Sequence, residues 1–439
     1  MIIRLTEATP QNAGAKAAVL GGLSRAGFSV PPAFVIPVAA YRAATAHLDL
    51  PRALTSQNPD EARLLVEAQP VPAQLLDHLS KALAALGNTP VAVRSSATTE
   101  DTPTASAAGQ HDTYLGIQGL PNLTAKIQAI WASLWSPRAI AYRAGLSGDP
   151  RREAPGIAVL IQRHLDAEVA GVLFTADPRG NPDTAVLEAS WGLGESVVQG
   201  SVTPDTYVLT STGALNRTLG TKQTRRDRLT TPASTAAHAG TSGIATTEVP
   251  LAQQQQLCLT DEQAHRIIQL GQRTADLMGE PQDIEFALEN NHIWLLQSRP
   301  ITAPLDPTSS SAATDSDGAA TGSGESVAAD LDVLRGVGGS AGVAVGPARI
   351  VNGVEDFGRV EQGDILVCRF TDPGWTPLFS CVAGVVTEVG GRLSHAAIVA
   401  REHRVPAVLG VVDAMRALRD NQRIRIDGST GLVEPVPPS

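Results

Sequence analysis

The chain has 439 residues, of which 43% are hydrophobic and 18% are charged, and its formal net charge is −10. The length corresponds to about three ordinary domains. The composition has enough apolar side chains for sizeable cores and excludes a disordered chain. The acidic balance disfavours nucleic acid and anionic membranes as partners, because both carry negative charge. The first ten residues show no secretory signal and no apolar run approaches the roughly 20 residues of a membrane span, so we expect a cytoplasmic protein.

The first 300 residues predict a mixed α/β fold. Periodicity and turn signals predict helices at residues 13–26, 123–135 and 261–278, and strands at residues 33–36, 91–93, 157–162 and 171–174. Thr260 is the predicted N-cap of the last helix, with Gln263 three residues further on. Residues 283–288 and 292–297 flank Asn290–Asn291 and predict a β-hairpin.

Residues 302–330 consist mainly of Ser, Ala, Gly, Thr and Asp, with almost no large apolar side chain. Such a segment cannot bury enough surface to offset its ordering entropy, so it predicts a flexible linker, either a hinge or a passive spacer. Beyond it we predict a small α/β domain with a helix at residues 394–403 and strands at residues 364–368, 382–387, 407–411, 423–427 and 432–435. The predicted domains are therefore 1–302 and 332–439, joined by a linker at 303–331.

The predicted hairpin places polar side chains on one face. Asp283 and Glu285 are two residues apart on a strand, and folding at the turn brings Gln297 roughly opposite Glu285. Arg299 then lies on the same side as Gln297. Two carboxylates and an amide oxygen suit Mg²⁺ bound together with nucleotide phosphates, although the polar outer face of an ordinary hairpin would have the same pattern.

His395 follows an apolar strand, a glycine pair and Ser394, and it opens a predicted helix. Ser394 occupies the N-cap position, so His395 falls in the first turn, where free backbone N–H groups favour an anion. A neutral imidazole is a competent nucleophile near pH 7. The pattern therefore indicates a phosphoryl carrier, the alternative being an ordinary histidine near a helix start.

The sequence around His395 resembles the phosphohistidine motif of the phosphoenolpyruvate-utilising enzymes, which include pyruvate phosphate dikinase, phosphoenolpyruvate synthase and the rifamycin phosphotransferases. The matching residues are Thr387, Gly390, Gly391, Ser394, His395, Ala396, Ala397, Ile398, Ala400, Arg401, Glu402, Pro406, Ala407 and Val408. The resemblance implies that His395 is phosphorylated on a mobile, swivelling domain. It assigns Arg401 and Glu402 only to orienting the site or the fold.

Residues 10–302 resemble the nucleotide-binding half of the same family, which is an ATP-grasp-like fold. The implied fold class is α/β (α+β), with an ATP-grasp-like domain and a small α/β phosphohistidine domain. The resemblance implies ATP and Mg²⁺ as cofactors. The implied nucleotide-binding residues are Lys16, Arg94, Thr98, Glu195, Lys222 and Arg299, and the implied metal ligands are Glu285, Gln297 and Asp283.

The resemblance implies a dikinase-type phosphotransferase, which forms phosphohistidine at His395 and yields AMP and phosphate. The family's separate acceptor domain has no counterpart in these 439 residues, so we expect a small-molecule or protein-borne acceptor whose site is either on a separate acceptor subunit or built into these two domains. Ser394 and residues 375–379 favour an acceptor other than pyruvate. Two alternatives remain: an ATP-dependent ligase that activates an acid, and one half of a split phosphoenolpyruvate synthase that acts as a phosphocarrier to a partner protein.

Overall fold

The computed structural model describes residues 2–50, 60–98, 113–136, 139–140, 156–178, 181–229, 243–301 and 333–436. Within these ranges no helix is long and apolar enough to cross a membrane. The same ranges contain three larger sheets and a two-stranded ribbon, with helices packed against them, which confirms the predicted mixed fold class. The predicted linker lies wholly outside the described residues, so the domain boundaries remain a prediction.

The first sheet is antiparallel, with strand order β1–β2–β5–β3–β4. Its strands are β1 (Ile3–Arg4), β2 (Ala33–Ile36), β3 (Val91–Ala97), β4 (Thr113–Ile117) and β5 (Ile157–Arg163). The helices nearby are α1 (Pro10–Arg25), α2 (Val38–Thr45), α3 (Glu61–Glu67), α4 (Ala73–Ala85) and α5 (Leu120–Ser133), with a 3-10 turn at Leu5–Glu7. Side chains of β5 alternate between two cores, because successive residues of a strand point to opposite faces. Leu160 belongs to the core that includes α1, and Ile161 to the core that includes α5.

The second sheet is also antiparallel, with strand order β13–β12–β6–β7–β8–β9. Its strands are β6 (Val169–Phe174), β7 (Ala185–Trp191), β8 (Asp205–Leu209), β9 (Leu215–Thr218), β12 (Gln282–Glu289) and β13 (His292–Pro300). The ribbon pairs β10 (Thr224–Arg228) with β11 (Ile244–Glu248), and the helices here are α6 (Glu195–Val198), α7 (Leu251–Gln254) and α8 (Asp261–Met278). Thr260 and Gln263 cap α8 reciprocally, as the sequence predicts.

The third sheet is formed by the C-terminal residues, with strand order β14–β21–β20–β16–β17–β18–β19–β15. Its strands are β14 (Leu334–Arg335), β15 (Val337–Ser340), β16 (Val343–Ile350), β17 (Ile365–Cys368), β18 (Gly384–Thr387), β19 (Ala407–Leu409), β20 (Arg423–Asp427) and β21 (Leu432–Pro435). The helices are α9 (His395–Glu402) and α10 (Ala414–Ala417), with 3-10 helices at Val354–Arg359 and Pro373–Ser380. The central strands β16 to β19 run parallel. The loop that leads to His395 follows β18 along the chain.

Candidate active site

A cavity of about 350 Å³ lies where the two N-terminal sheets meet the loop and helix of His395. Its volume is in the range of small-molecule sites. Residues from all three sheets or their connections line it, among them Lys16, Ala92, Arg94, Gln162, His164, Glu195, Glu285, Gln297, Arg299 and His395. The structure therefore brings together Lys16, Arg94, Glu195, Glu285, Gln297, Arg299 and His395 from the sequence-predicted set.

Lys16 reaches the cavity because α1 breaks at Gly14. Gly14 has φ 74° and ψ 173°, so helical geometry restarts immediately before Lys16. A Cβ atom at Gly14 would lie 2.2 Å from the backbone oxygen of Ser96, so only glycine fits both this conformation and this contact. The Ser96 hydroxyl accepts a hydrogen bond from the backbone N–H of Ala17 at 3.1 Å. The first turn of the restarted helix is thereby fixed against β3, with Lys16 beside it.

Arg94 joins the first sheet to the hairpin of the second. Its Nη1 donates to the backbone oxygen of Leu296 at 2.7 Å, and its Nη2 donates to Oε1 of Gln297 at 2.7 Å. The Glu285 carboxylate lies 3.3 Å from the same Nη2. One guanidinium therefore touches two of the three predicted metal ligands, Glu285 and Gln297.

A β-bulge brings Glu285 and Gln297 face to face. Near the turn the ladder pairs Phe286 with Leu295, but one step further Glu285 pairs with Gln297, so Leu296 is the extra residue. If the ladder were unbroken and Leu296 paired with Glu285, Gln297 would oppose Ile284 and face the core. The bulge instead turns Gln297 to the cavity, while the Leu296 carbonyl accepts its hydrogen bond from Arg94.

The oxygen atoms of Glu285 and Gln297 fit a hard cation. Oε2 of Glu285 and Oε1 of Gln297 converge on a single cationic nitrogen of Arg94, at 3.3 and 2.7 Å. Mg²⁺ prefers oxygen ligands, and it is usually held by one or two protein groups together with waters and substrate phosphates. No group of three or more His, Cys, Asp or Glu side chains poised for a metal occurs in the described parts of the chain. The pair thus suits a cation shared with phosphate.

Asp283 does not join that oxygen pair. It pairs with Arg299 across the hairpin, and its Oδ2 accepts from Nε of Arg299 at 2.8 Å. Both side chains are largely buried. Because this carboxylate holds the arginine that lines the cavity, we assign Asp283 to positioning Arg299 and leave it out of the proposed metal ligands.

His395 is the first residue of α9 and is only 6% exposed. The Thr371 hydroxyl lies 3.1 Å from Nδ1, whereas Nε2 is buried without a hydrogen-bond partner in the described structure. Burial lowers the pKa of His395 to about 4, assisted by the charge of Arg299 and opposed by Asp372. The imidazole is therefore neutral at pH 7 and presents one bare nitrogen to the cavity.

The loop before His395 is held by a carboxylate from β7. Glu188 accepts the backbone N–H of Arg392 at 2.7 Å and that of Leu393 at 3.0 Å. A Cβ atom at Gly391 would lie 2.3 Å from Oε2 of Glu188, so the glycine permits this contact. Burial raises the pKa of Glu188, opposed by these two N–H groups and by the charges of Arg392 and Arg401.

Two further features shape this loop. Ser394 occupies the N-cap position, but its side chain makes no capping bond and donates to the backbone oxygen of Gly391 at 2.8 Å. Arg401 donates to the backbone oxygens of Gly339 and Arg392 at 2.8 and 2.9 Å. The loop conformation is thus fixed from its own domain as well as by Glu188.

The remaining predicted nucleotide residues have different places. Glu195 lines the cavity and forms an ion pair with Arg226 at 2.8 Å, and burial raises its pKa. Thr98 is exposed at the end of β3 and bonds the backbone oxygen of Gly156, while residues 99–112 after it lie outside the described residues. Its nucleotide role remains a prediction.

Lys222 requires a correction. Its side chain is fully buried, and its Nζ donates to Asp205 at 2.5 Å and to the backbone oxygen of Gly220 at 3.0 Å. It is absent from the residues that line the cavity. A buried ammonium needs such partners to compensate its lost hydration, so we assign Lys222 to the interior of the second sheet and leave it out of the proposed nucleotide ligands.

Two known protein families match this chain. Residues 10–318 match the family described as "Pyruvate phosphate dikinase, AMP/ATP-binding domain", and residues 360–431 match "PEP-utilising enzyme, mobile domain".

Among similar curated proteins, the "Probable phosphoenolpyruvate synthase" of Methanothermobacter thermautotrophicus is 36% identical over 96% of this chain and 61% of its own length. The "Phosphoenolpyruvate synthase" of Pyrococcus furiosus is 31% identical over 96% of this chain and 56% of its own length. That of Deinococcus radiodurans is 35% identical over 85% of this chain and 47% of its own length. The chain thus spans about half the length of these relatives.

Proposed function

The chain belongs to the family of the pyruvate phosphate dikinase AMP/ATP-binding domain, and from this premise we propose that it transfers a phosphoryl group from ATP to Nε2 of His395 and onward to an acceptor. One observation carries the proposal. The Nε2 atom is buried and without a hydrogen-bond partner in the described structure, and it belongs to a residue lining the cavity that Lys16, Arg94 and Arg299 also line. A bare nucleophile beside three cations suits attack on a polyphosphate.

The contact with Thr371 is compatible with the tautomer that this attack requires. When Nδ1–H donates to the Thr371 hydroxyl, the lone pair stays on Nε2. In the proposed step this lone pair attacks the β-phosphorus of ATP. An N–P bond forms, and the bond from the β-phosphorus to the oxygen bridging the α-phosphate breaks, so that AMP leaves with the electron pair. Transfer of the γ-phosphoryl group to water or phosphate then leaves one phosphoryl group on His395.

The chain's charged side chains stabilise this transfer. Lys16 and Arg299 offer positive charge to phosphate oxygens, and Arg94 can bind two of them through its planar guanidinium. Glu285 and Gln297 would hold Mg²⁺, which would neutralise charge on the phosphates when bound. Asp283 keeps Arg299 in position. We also propose that the His395 domain leaves the cavity to meet the acceptor, since one histidine cannot be in line with two separate sites at once.

The test is phosphoenzyme formation with ATP and Mg²⁺, followed by intact mass and nucleotide analysis. We expect one acid-labile phosphoryl group per chain, together with AMP and phosphate. His395→Ala should abolish it, whereas His403→Ala, an exposed histidine just after the same helix, should not. Labelling that persists in His395→Ala would overturn the assignment. ADP as the product would contradict the dikinase step and favour simple γ-phosphoryl transfer.

A further inference from the structure

One leucine of the domain that carries His395 is buried in an apolar cluster of the second sheet. Leu393 is 1% exposed, and the other buried members of its cluster come from β6, β7, α6 and the loop after α6. These members, which we call the socket, are Val172, Phe174, Val186, Val197 and Val202. The two clusters that lie beyond residue 333 contain residues of the C-terminal domain alone. Within the described ranges, Leu393 is therefore the buried apolar side chain that joins this domain to the core of the other.

The backbone on both sides of this side chain also contacts the second sheet and its connections. The N–H of Leu393, like that of the residue before it, donates to Glu188. On the other side, a Cβ atom at Gly200 would lie 2.8 Å from Cβ of Ser394, and the φ of Gly200 is 71°, so this approach needs glycine. Three consecutive residues thus lie against the second sheet, and the last of them immediately precedes His395.

The apolar and polar parts of this contact differ in what happens when the two domains separate. Water can replace Glu188 as the partner of the two N–H groups, so the net cost of losing these hydrogen bonds is modest. Water cannot replace the socket, because separation exposes the apolar surface of both Leu393 and its surroundings, at a cost proportional to the area. The leucine therefore favours the docked state, whereas the hydrogen bonds determine its geometry.

We propose that Leu393 is the docking anchor of the domain that carries His395. Its insertion into the socket holds Nε2 of His395 in the cavity, and its withdrawal accompanies release toward the acceptor. This inference rests on the proposed function, since it takes the docked state as the one that receives the phosphoryl group from ATP. Leu393 does not line the cavity, so it is a positioning residue. A single apolar anchor suits an interface that opens in every cycle, since interfaces between mobile domains resemble transient ones.

The experiment follows two rates at His395 that should change in opposite directions. One is phosphorylation in a single turnover with saturating ATP and Mg²⁺. The other is modification by diethyl pyrocarbonate without nucleotide, located by peptide mass mapping. His395 is 6% exposed and should react slowly in the native chain, whereas His403 is exposed just after the same helix and is the internal reference. The second rate needs no catalysis.

Leu393→Ala removes three buried carbon atoms from the docked state alone, so we expect the docking equilibrium to shift by about 50-fold toward the released state. Modification of His395 should accelerate by about 10-fold and phosphorylation should slow by at least about threefold, with ATP affinity unchanged. Leu393→Met, which has nearly the same volume, should stay close to the native chain. Val202→Ala opens the socket from the other side and should change both rates in the same directions by less. Leu277→Ala, at an exposed position of α8, should change neither.

Unchanged modification of His395 in a folded Leu393→Ala would overturn the anchor. Equal acceleration at His403 would also overturn it, because a loosened helix and not a released domain would then be the cause. Slower phosphorylation matched by weaker ATP binding would place Leu393 in the nucleotide site instead. A native chain that formed no phosphoenzyme would overturn the proposed function, while the modification rates would still decide whether Leu393 docks the domain.

Discussion

The two ends of the cavity each contain a buried histidine, and the two differ in what holds the imidazole. Burial lowers the pKa of both His164 and His395 to about 4. His395 has Nδ1 beside the Thr371 hydroxyl and only Nε2 bare, whereas both nitrogens of His164 are bare in the described structure. The hydrogen bond at Nδ1 orients the His395 ring and aims Nε2, which suits a nucleophile. The His164 ring has no such bond in the described structure.

The largest expected effect is on stability and concerns Lys222, which does not line the cavity. It tests the assignment of Lys222 to the interior of the second sheet. Lys222→Met would leave Asp205 buried without its cationic partner, so we expect the free energy of unfolding to fall by about 3–5 kcal/mol. Chemical denaturation measures this change. The exposed Lys81→Met is the control, with an expected change within about 0.5 kcal/mol. A loss of ATP affinity in folded Lys222→Met, without loss of stability, would return Lys222 to the nucleotide site.

The second prediction concerns Glu188 and separates the rate of His395 phosphorylation from the affinity for ATP. Glu188→Ala removes the acceptor of two loop N–H groups, and each buried N–H left without a partner costs about 1–3 kcal/mol. We expect His395 phosphorylation in a single turnover to slow by about 100-fold while ATP affinity is retained. Glu188→Gln should be intermediate, and the exposed Glu262→Ala should behave as the native chain. Equal loss of affinity and rate would show that Glu188 serves the nucleotide instead of the loop.

A smaller effect is expected at Thr371, which orients the His395 ring. Thr371→Val keeps the shape of the side chain and removes its hydroxyl, so the imidazole loses its hydrogen bond at Nδ1. Phosphorylation should slow by about 10-fold, equivalent to roughly 1.4 kcal/mol. Thr371→Ser should restore most of the rate. If the valine variant kept the native rate, the contact would not orient the ring for phosphorylation.

The smallest effect concerns pH. A histidine with the ordinary pKa of 6.5 would be about one-tenth neutral at pH 5.5, whereas a pKa of about 4 keeps the His395 ring neutral there. The phosphorylation rate at saturating ATP should therefore change less than about twofold between pH 7.5 and 5.5. A tenfold fall centred near pH 6.5 would contradict the lowered pKa.

The same shifts affect stability with a definite sign. The unfolded chain takes up protons at both histidines below pH 6.5, and the folded chain does so only near pH 4. Their contribution to stability is therefore complete above pH 6.5 and is lost progressively as the pH falls toward 4, by about 1.4 kcal/mol per pH unit and histidine. Denaturation at several pH values checks this slope.

Much of the fold follows from local patterns in the sequence. The capping box of Thr260 and Gln263, the turn at Asn290–Asn291 and the limits of β20 all depend on neighbouring residues, so the sequence predicts them. His395 could be placed at a helix start for the same reason. The phosphohistidine and nucleotide segments could be placed because their motifs are long.

Contacts between distant segments could not be predicted in this way. Glu188 and the loop at Arg392 are 204 residues apart, and the apolar residues around Glu188 give no indication of its partner. The burial of Lys222 depends on Asp205, on the nearby backbone oxygen of Gly220 and on that of Gln254 from another segment. The bare nitrogens of His164 are a property of its packing. A carboxylate within the apolar run of β7 and a Gln-x-His pattern at the end of β5 were the available signals.

The extra residue in β13 has a consequence at the level of the gene. Leu296 has no partner of its own in the ladder, so deletion of its single codon would leave Glu285 opposite Gln297 and every pair beyond them unchanged. The deletion would instead remove the backbone oxygen that accepts a hydrogen bond from Arg94. A length polymorphism of one residue here would therefore weaken the link between the first sheet and the hairpin, and no alteration of a ligating amino acid would mark the loss.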